Sequence, residues 1–235
     1  MGNPKALIIG VGAGLSASLA RLLDKNGYDL ILAARDTTKL ASLADEANAK
    51  VISCEASDPK SVADLFGQIE GRLEVVVYNP SARVRGSLSE LDPEAVRVAV
   101  EVTAYGAFLA GQQAAKRMLD QEFVGGKRGT ILFTGASAGV KGFPQSAPFA
   151  MGKFAQRGLA QSMSRELHPK GIHVAWINID GGIRNPARPE RVDASDNPDS
   201  MLDPDEIART YLNLIDQNRT AWSEEISVRP WVERF

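Results

Sequence analysis

The stretch "A-L-I-I-G-V-G-A-G-L-S-A-S-L-A", residues 6–20, decides the fold. An apolar, branched run reads as a buried strand, and Gly10, Gly12 and Gly14 then lead into a segment of helical period. Glycines at such a junction allow a tight turn and a close approach of backbone to a pyrophosphate, whose charge a helix N-terminus favours. A merely structural strand-to-helix turn is the plainer alternative.

Further apolar runs recur outward from this unit: "D-L-I-L-A-A" at 29–34, "K-V-I-S-C" at 50–54, "E-V-V-V-Y-N" at 74–79, "G-T-I-L-F-T-G" at 129–135 and "I-H-V-A-W-I-N" at 172–178. Helical periodicity fills the intervals 15–26, 37–48, 59–70, 92–121 and 149–168. Strands alternating with helices, and strands apolar on both faces, predict an α/β doubly wound sheet of about seven mainly parallel strands flanked by helices. A helix from "L-D-P-D-E-I-A" and a last strand at "E-I-S-V" complete it, after a polar loop over about 183–203. No boundary or repeat divides the chain, so 1–235 reads as one Rossmann-type domain.

The composition excludes several function classes. With 27 basic and 29 acidic residues and a formal charge of −2, no electrostatic footprint for nucleic acid or an anionic membrane exists. Cys54 is the sole cysteine and His168 and His173 the only histidines, so neither a disulfide nor a Cys- or His-rich metal site is expected. The first strand begins near residue 5 and no run is long enough to span a bilayer; a cytoplasmic protein is the expectation.

Open sheets of this kind bind ligands at the carboxyl ends of their strands. The second strand ends "I-L-A-A-R-D", without the acid that would hold the ribose hydroxyls of NAD, whereas Arg35 can pair with a 2′-phosphate. NADP is therefore favoured over NAD, against the alternative of a solvated Arg35 neutralised by Asp36.

These segments together resemble the short-chain dehydrogenase/reductase superfamily along essentially the whole chain. The family pattern T-G-x-x-x-G-[IL]-G is matched by "I-G-V-G-A-G-L-S", with Gly10, Gly14 and Leu15 in place, Ile9 for the threonine and Ser16 for the last glycine. The resemblance assigns Glu55 and Ala56 to the adenine end, Asn79 to the family's N-N-A-G segment (here "Y-N-P-S") and Gly181 and Ile183 to the segment contacting the nicotinamide. It implies hydride transfer between a nicotinamide cofactor and a carbonyl or alcohol. A tyrosine would act as proton donor, a lysine four residues on would hold the ribose, and a serine and an asparagine would assist.

The lysine is present as Lys153, but Phe149 stands at the tyrosine, Ala136 at the serine and Thr103 at the asparagine. Ser137 follows one step later, pointing oppositely if the strand continues. Tyr78, Tyr105, Ser137 and Ser146 are the candidate replacement donors, and Ser146 occupies the spacing at which enoyl reductases carry their tyrosine. Asp180 would bind a polar substrate or cap a turn. Lys153 as an ordinary surface residue is a further alternative.

Two functions stay open: an oxidoreductase with an atypical active site, acting on an activated carbonyl or enone, or a catalytically weak NADP-binding sensor or scaffold. The small substrate loop favours small or charged substrates. A homodimer or homotetramer is implied by the resemblance, with Ala104, Ala107, Ala114, Leu159, Met163 and Leu167 on the helices concerned, while Trp231 and Phe235 would dock on a neighbour.

Overall fold

Branched apolar residues make five strands that bury nearly every side chain, and the computed structural model describes residues 2–185 and 188–233. In chain order the strands and helices are β1 (Lys5–Ile9), α1 (Leu15–Lys25), β2 (Asp29–Ala34), α2 (Ala41–Glu46), β3 (Lys50–Ser53), α3 (Pro59–Gly67) and β4 (Leu73–Tyr78). Next come α4 (Pro93–Val100), a π-helical turn (Glu101–Tyr105), α5 (Gly106–Leu119), β5 (Gly129–Thr134), α6 (Ala147–Leu167) and β6 (Ile172–Ile179). Last are β7 (Gly182–Ile183), β8 (Met201–Leu202), α7 (Pro204–Ile215) and β9 (Glu225–Val228).

The seven long strands form one sheet in the order β3-β2-β1-β4-β5-β6-β9, with every neighbouring pair parallel. Core residues lie on both faces: Leu7, Val76, Ile131 and Trp176 on the side of α3 and α5, and Ile8, Val77, Leu132 and Ile177 on the side of α1 and α7. Burial on two sides is why these strands are continuous apolar runs rather than alternating ones. The order reverses between β1 and β4, and the crevice outside their carboxyl ends is where such a sheet takes a ligand.

Three helices start at Asp-Pro: Asp58 accepts from the Ser61 amide, Asp92 from those of Glu94 and Ala95, and Asp203 from that of Asp205, each with proline next. The carboxylate satisfies amides that have no intrahelical partner, and proline gives up an amide that would be orphaned anyway. The two helices that open on the crevices differ. Neither α1, after Gly14, nor α6, after Ser146, has a side-chain cap, and α1 has no acid in its first turn.

Two elements depart from the sequence reading. The expected helix 37–48 is a 3-10 turn over Thr38–Leu40 followed by the short α2. The expected helix over 92–121 is interrupted by the π turn at Glu101–Tyr105, because residue 103 is drawn into the contact between α4 and α6: Gly152 leaves room for Thr103, where an added Cβ would come within 2.8 Å of its side chain. The loop 183–203 carries β7 and β8, which pair as a separate two-stranded parallel sheet.

Candidate functional site

Gly10 has φ +83, and a Cβ there would meet Pro80 at 2.7 Å, so both backbone and space require glycine. The turn is fastened from the side. Asn79 donates from Nδ2 to the Gly10 carbonyl at 2.9 Å and to Ser16 Oγ at 2.8 Å, and Ser16 in turn donates to the same carbonyl at 3.1 Å. Ser16, in place of the family's glycine, thus strengthens the turn instead of disturbing it. A Cβ on Gly12 would meet nothing within 4 Å, so its backbone lies open.

That open backbone borders a cavity of about 770 Å³ which runs across the ends of β1 to β4 and is lined among others by Gly10, Gly12, Arg35, Glu55, Ala56 and Asn79. These six of the expected nucleotide residues share that cavity, whereas Ser16, Lys153, Gly181 and Ile183 do not line it. Gly14 and Leu15 lie at the helix start, with the Leu15 side chain buried in the core rather than turned to the cavity. Glu55 Oε1 accepts from the Ser57 hydroxyl at 2.9 Å, closing its own turn.

Arg35 is solvent-exposed, and Asp36 is turned to other partners. Asp36 binds Thr38 and pairs with Lys39 at 3.1 Å, while Arg35, 76% exposed, has only Glu55 nearby at 4.0 Å. Lys39 and Arg188 also line this cavity, and both escaped the sequence reading, as their segments carry no motif.

A second cavity, about 390 Å³, lies at the N-terminal end of α6 and is lined by Phe149, Ala136, Ser137, Ser146 and Gly181, together with Arg83, Arg85 and Arg191. Ile183 is not on its wall; it packs against the core under α1. The strand β5 ends at Thr134 and a 3-10 turn begins at Ser137, so Ser137 faces the cavity together with Ala136 and not away from it. Arg83 lies over the Phe149 ring, 4.1 Å from its centroid.

Lys153 is 2% exposed, which removes the surface reading. Its Nζ donates to the Thr134 carbonyl at 2.5 Å and to Gln156 Oε1 at 3.3 Å. Gln156 Oε1 also accepts from the Trp176 indole, and Gln156 Nε2 donates to the Thr103 carbonyl. Two neutral acceptors favour the ammonium, but burial, helped by the charge of Arg83, outweighs them and brings the Lys153 pKa down to about 7. Met151 and Phe154, its neighbours in sequence, turn outward and are exposed.

Thr103 is fully buried, and its hydroxyl accepts from the Ala82 amide at 3.1 Å. Two of the candidate proton donors are excluded. The Tyr78 hydroxyl is buried against the Val102 carbonyl, and burial raises its pKa further; Tyr105 is exposed and stacks on Phe108. Ser137 and Ser146 remain on the cavity wall. Asp180 pairs with Arg229 at 3.5 Å and does not line that cavity.

The expected subunit stripe is core: Ala107, Ala114 and Leu167 are buried, and Leu159 and Met163 pack against them. Ala104 is half-buried, and the exposed large hydrophobics of these helices include Tyr105, Phe108, Met151 and Phe154. Trp231 is 82% exposed and approaches Asp199, whereas Phe235 lies outside the described residues.

Among the described residues no group of His, Cys, Asp or Glu is arranged for a metal, and no helix is long and apolar enough to cross a membrane. A model of the short chain dehydrogenase family matches residues 4–191. A short-chain dehydrogenase from Rhodopseudomonas palustris is similar in structure, with a TM-score of 0.81 and 30% identity, over 97% of this chain and 99% of that one. An alcohol dehydrogenase from Thermococcus sibiricus, complexed with 5-hydroxy-NADP, gives a TM-score of 0.81 at 23% identity over 98% of each chain. An uncharacterized oxidoreductase of Staphylococcus aureus strain N315 is 24% identical over 231 residues, 96% of each chain.

Proposed function

Since the chain belongs to the short-chain dehydrogenase family, we propose that it is an NADP-dependent oxidoreductase with an atypical active site, reducing an activated carbonyl or enone. The observation that carries this is the open Gly12 backbone at an uncapped helix start, facing a cavity that Arg35 lines at its other side. Bare amides suit a pyrophosphate, and an arginine paired only loosely suits a 2′-phosphate. In this reading Gly10, Gly12, Gly14 and Ser16 hold the diphosphate, Arg35 and Lys39 the 2′-phosphate, Glu55 and Ala56 flank the adenine, and Lys153, Asn79 and Gly181 attend the nicotinamide half, while Ile183 packs against the core instead. The structural relative complexed with 5-hydroxy-NADP is consistent with that choice of cofactor.

When bound, reduced nicotinamide supplies a hydride to the carbonyl carbon, and the carbonyl oxygen takes up a proton. Phe149 and Ala136 have no proton to give. Ser137 and Ser146 are the hydroxyls on the same wall, and the guanidinium of Arg83 stabilises negative charge developing on the oxygen. An acceptor whose carbonyl is already activated needs the least help of this kind.

The absence of an oxygen at both Phe149 and Ala136 also favours a second reading, a nucleotide-binding sensor or scaffold with little turnover. Titration with NADPH by fluorescence, followed by its absorbance in the presence of quinones, diketones and enoyl thioesters, separates the two. Tight binding with oxidation supports the enzyme, binding without oxidation the sensor, and failure to bind either NADPH or NADH overturns both. We place the protein in the cytoplasm and read the exposed Tyr105, Phe108, Met151 and Phe154 as the contact of a homodimer or homotetramer, which light scattering of Phe154→Glu tests by loss of oligomer mass.

A further inference from the structure

The cavity beside Phe149 holds three guanidinium groups, Arg83, Arg85 and Arg191, and no carboxylate lines it. Several arginines elsewhere find acids: Arg184 lies between Asp193 and Asp203, Arg97 between Glu94 and Glu101, Arg157 beside Glu225 and Arg21 beside Glu46, while Arg117 and Arg128 donate to backbone carbonyls. Acidic residues outnumber basic ones overall, 29 to 27, yet none of the three arginines takes part in an ion pair among the described residues.

Arg83 and Arg191 have side-chain neighbours at the cavity, and Arg85 is placed there by its loop. Arg83 stacks on the Phe149 ring, a contact that fixes a guanidinium plane without neutralising it. Arg191 belongs to a turn closed by its carbonyl, which accepts from the Asn185 amide at 2.7 Å, and by its own amide, which donates to the Arg188 carbonyl at 2.9 Å. Its Nη1 rests against Gly182, where an added Cβ would lie 3.1 Å away. Arg85 sits in a loop whose next residue, Gly86, donates to the Gln145 carbonyl at 3.3 Å, joining that loop to the segment before α6. Partial desolvation, with the charges of Arg191 and Arg85 added, holds Arg83 below the usual arginine value. Three like charges are gathered around one concavity, and no carboxylate among its lining residues offsets them.

We infer that the acceptor taken by this cavity is a small oxyanion, a molecule bearing a carboxylate or phosphate group that Arg83, Arg85 and Arg191 hold next to Phe149. Guanidinium forks match both oxyanions through paired N–H donors. The cavity, at about 390 Å³, is near the lower end of ligand-site volumes and suits a compact molecule. The inference rests on the reading of this cavity as the substrate side of the nucleotide site, and it names the substrate class that reading leaves open.

The test uses two matched pairs: acetoacetate against methyl acetoacetate, and dihydroxyacetone phosphate against dihydroxyacetone. Binding to the whole protein is measured by calorimetry, first without nucleotide and then with NADP, and NADPH oxidation is followed separately. At least one anion is expected to bind tenfold or more tighter than its neutral counterpart, and its affinity should fall as salt is raised. Arg83→Gln with Arg85→Gln should abolish that margin. If the double variant does not fold, Arg85→Gln alone, at an exposed position, should weaken the anion at least threefold. Preference for acetoacetate identifies a carboxylate site and preference for dihydroxyacetone phosphate a phosphate site. Equal binding of anion and neutral partner in both pairs, binding of none of the four, or unchanged anion affinity in a folded arginine variant overturns the inference. Anion binding without nucleotide, in a protein that binds neither NADPH nor NADH, would instead sink the oxidoreductase reading and leave the anion site standing.

Discussion

The nucleotide cavity and the Phe149 cavity lie at the same end of one sheet, and both depart from the family's pattern, but the departures differ in kind. At the nucleotide end the working groups are backbone: the open Gly12, the Gly10 turn and the uncapped start of α1. Side chains there can change if the turn survives, and Ser16 with Asn79 shows how, by hydrogen-bonding the Gly10 carbonyl from two directions. At the Phe149 end the expected chemistry resides in side-chain oxygens. Phenylalanine and alanine keep the shape of tyrosine and serine without those atoms, and no backbone group replaces a lost proton. Recognition by main chain survives divergence better than reactivity by side chain.

The largest break of that contrast is Gly12→Glu. Its Cβ enters open space, so the melting point should move by no more than about 0.5 kcal/mol worth of stability, as for surface changes generally. The carboxylate would occupy the place of a phosphate, and NADPH affinity should fall by about 100-fold or more in a fluorescence titration. Retained affinity would show that the cavity is not the nucleotide site.

Phe149→Tyr sharpens the other half. Positioned acid catalysis contributes about 10²–10⁴-fold; with Ala136 unchanged and Arg83 on the ring, a gain of about tenfold in NADPH oxidation with diketones is expected. No gain in a protein that still binds NADPH would mean that the missing oxygen is not the limiting defect.

Arg35→Ser should lower the preference for NADPH over NADH by about tenfold or less, as Arg35 is exposed and screened by solvent. Equal loss for both nucleotides would show that it does not read the 2′ position.

A last test reads stability instead of affinity or rate, and concerns Lys153 and pH. Its folded pKa, about 7, lies below the ordinary 10.5, so between these values the unfolded chain binds more protons than the folded one. Stability therefore rises with pH across that window and is lost on acidification until about pH 7, with a slope of at most about 1.4 kcal/mol per pH unit. Thermal melts from pH 7 to 9.5 should show the slope in the parent and a flatter one in Lys153→Met.

The sheet architecture and the place of the cavity beside the glycine turn were legible because the central strands are apolar runs buried on both sides and the glycine turn follows the first of them. The positions of Phe149, Ala136, Thr103 and Lys153 followed from spacing along elements correctly recognised. Three things did not. The direction of Ser137 depended on whether the strand ran on past Thr134, and spacing alone does not show that the chain coils there into a 3-10 turn. The stripe of Ala107, Ala114 and Met163 was open to two readings, since buried core and subunit contact have the same periodicity. Arg83, Arg85 and Arg191 were passed over because they come from two loops distant in sequence and form a cluster only when the fold brings them around one cavity.

The π turn at Glu101–Tyr105 has a consequence for chain length. A turn closed by i→i+5 bonds accommodates one residue more than an α-helical turn while the flanking helix keeps its axis. Position 101–105 is thus a place where the polypeptide can lose a residue without rotating α5 about itself. Ala107, Ala110 and Ala114 would keep facing the sheet, and the change would fall on Val102, whose carbonyl accepts from Tyr78, and on Thr103, whose hydroxyl and carbonyl anchor Ala82 and Gln156. A one-residue deletion in this stretch would therefore be felt first in the wall behind Lys153.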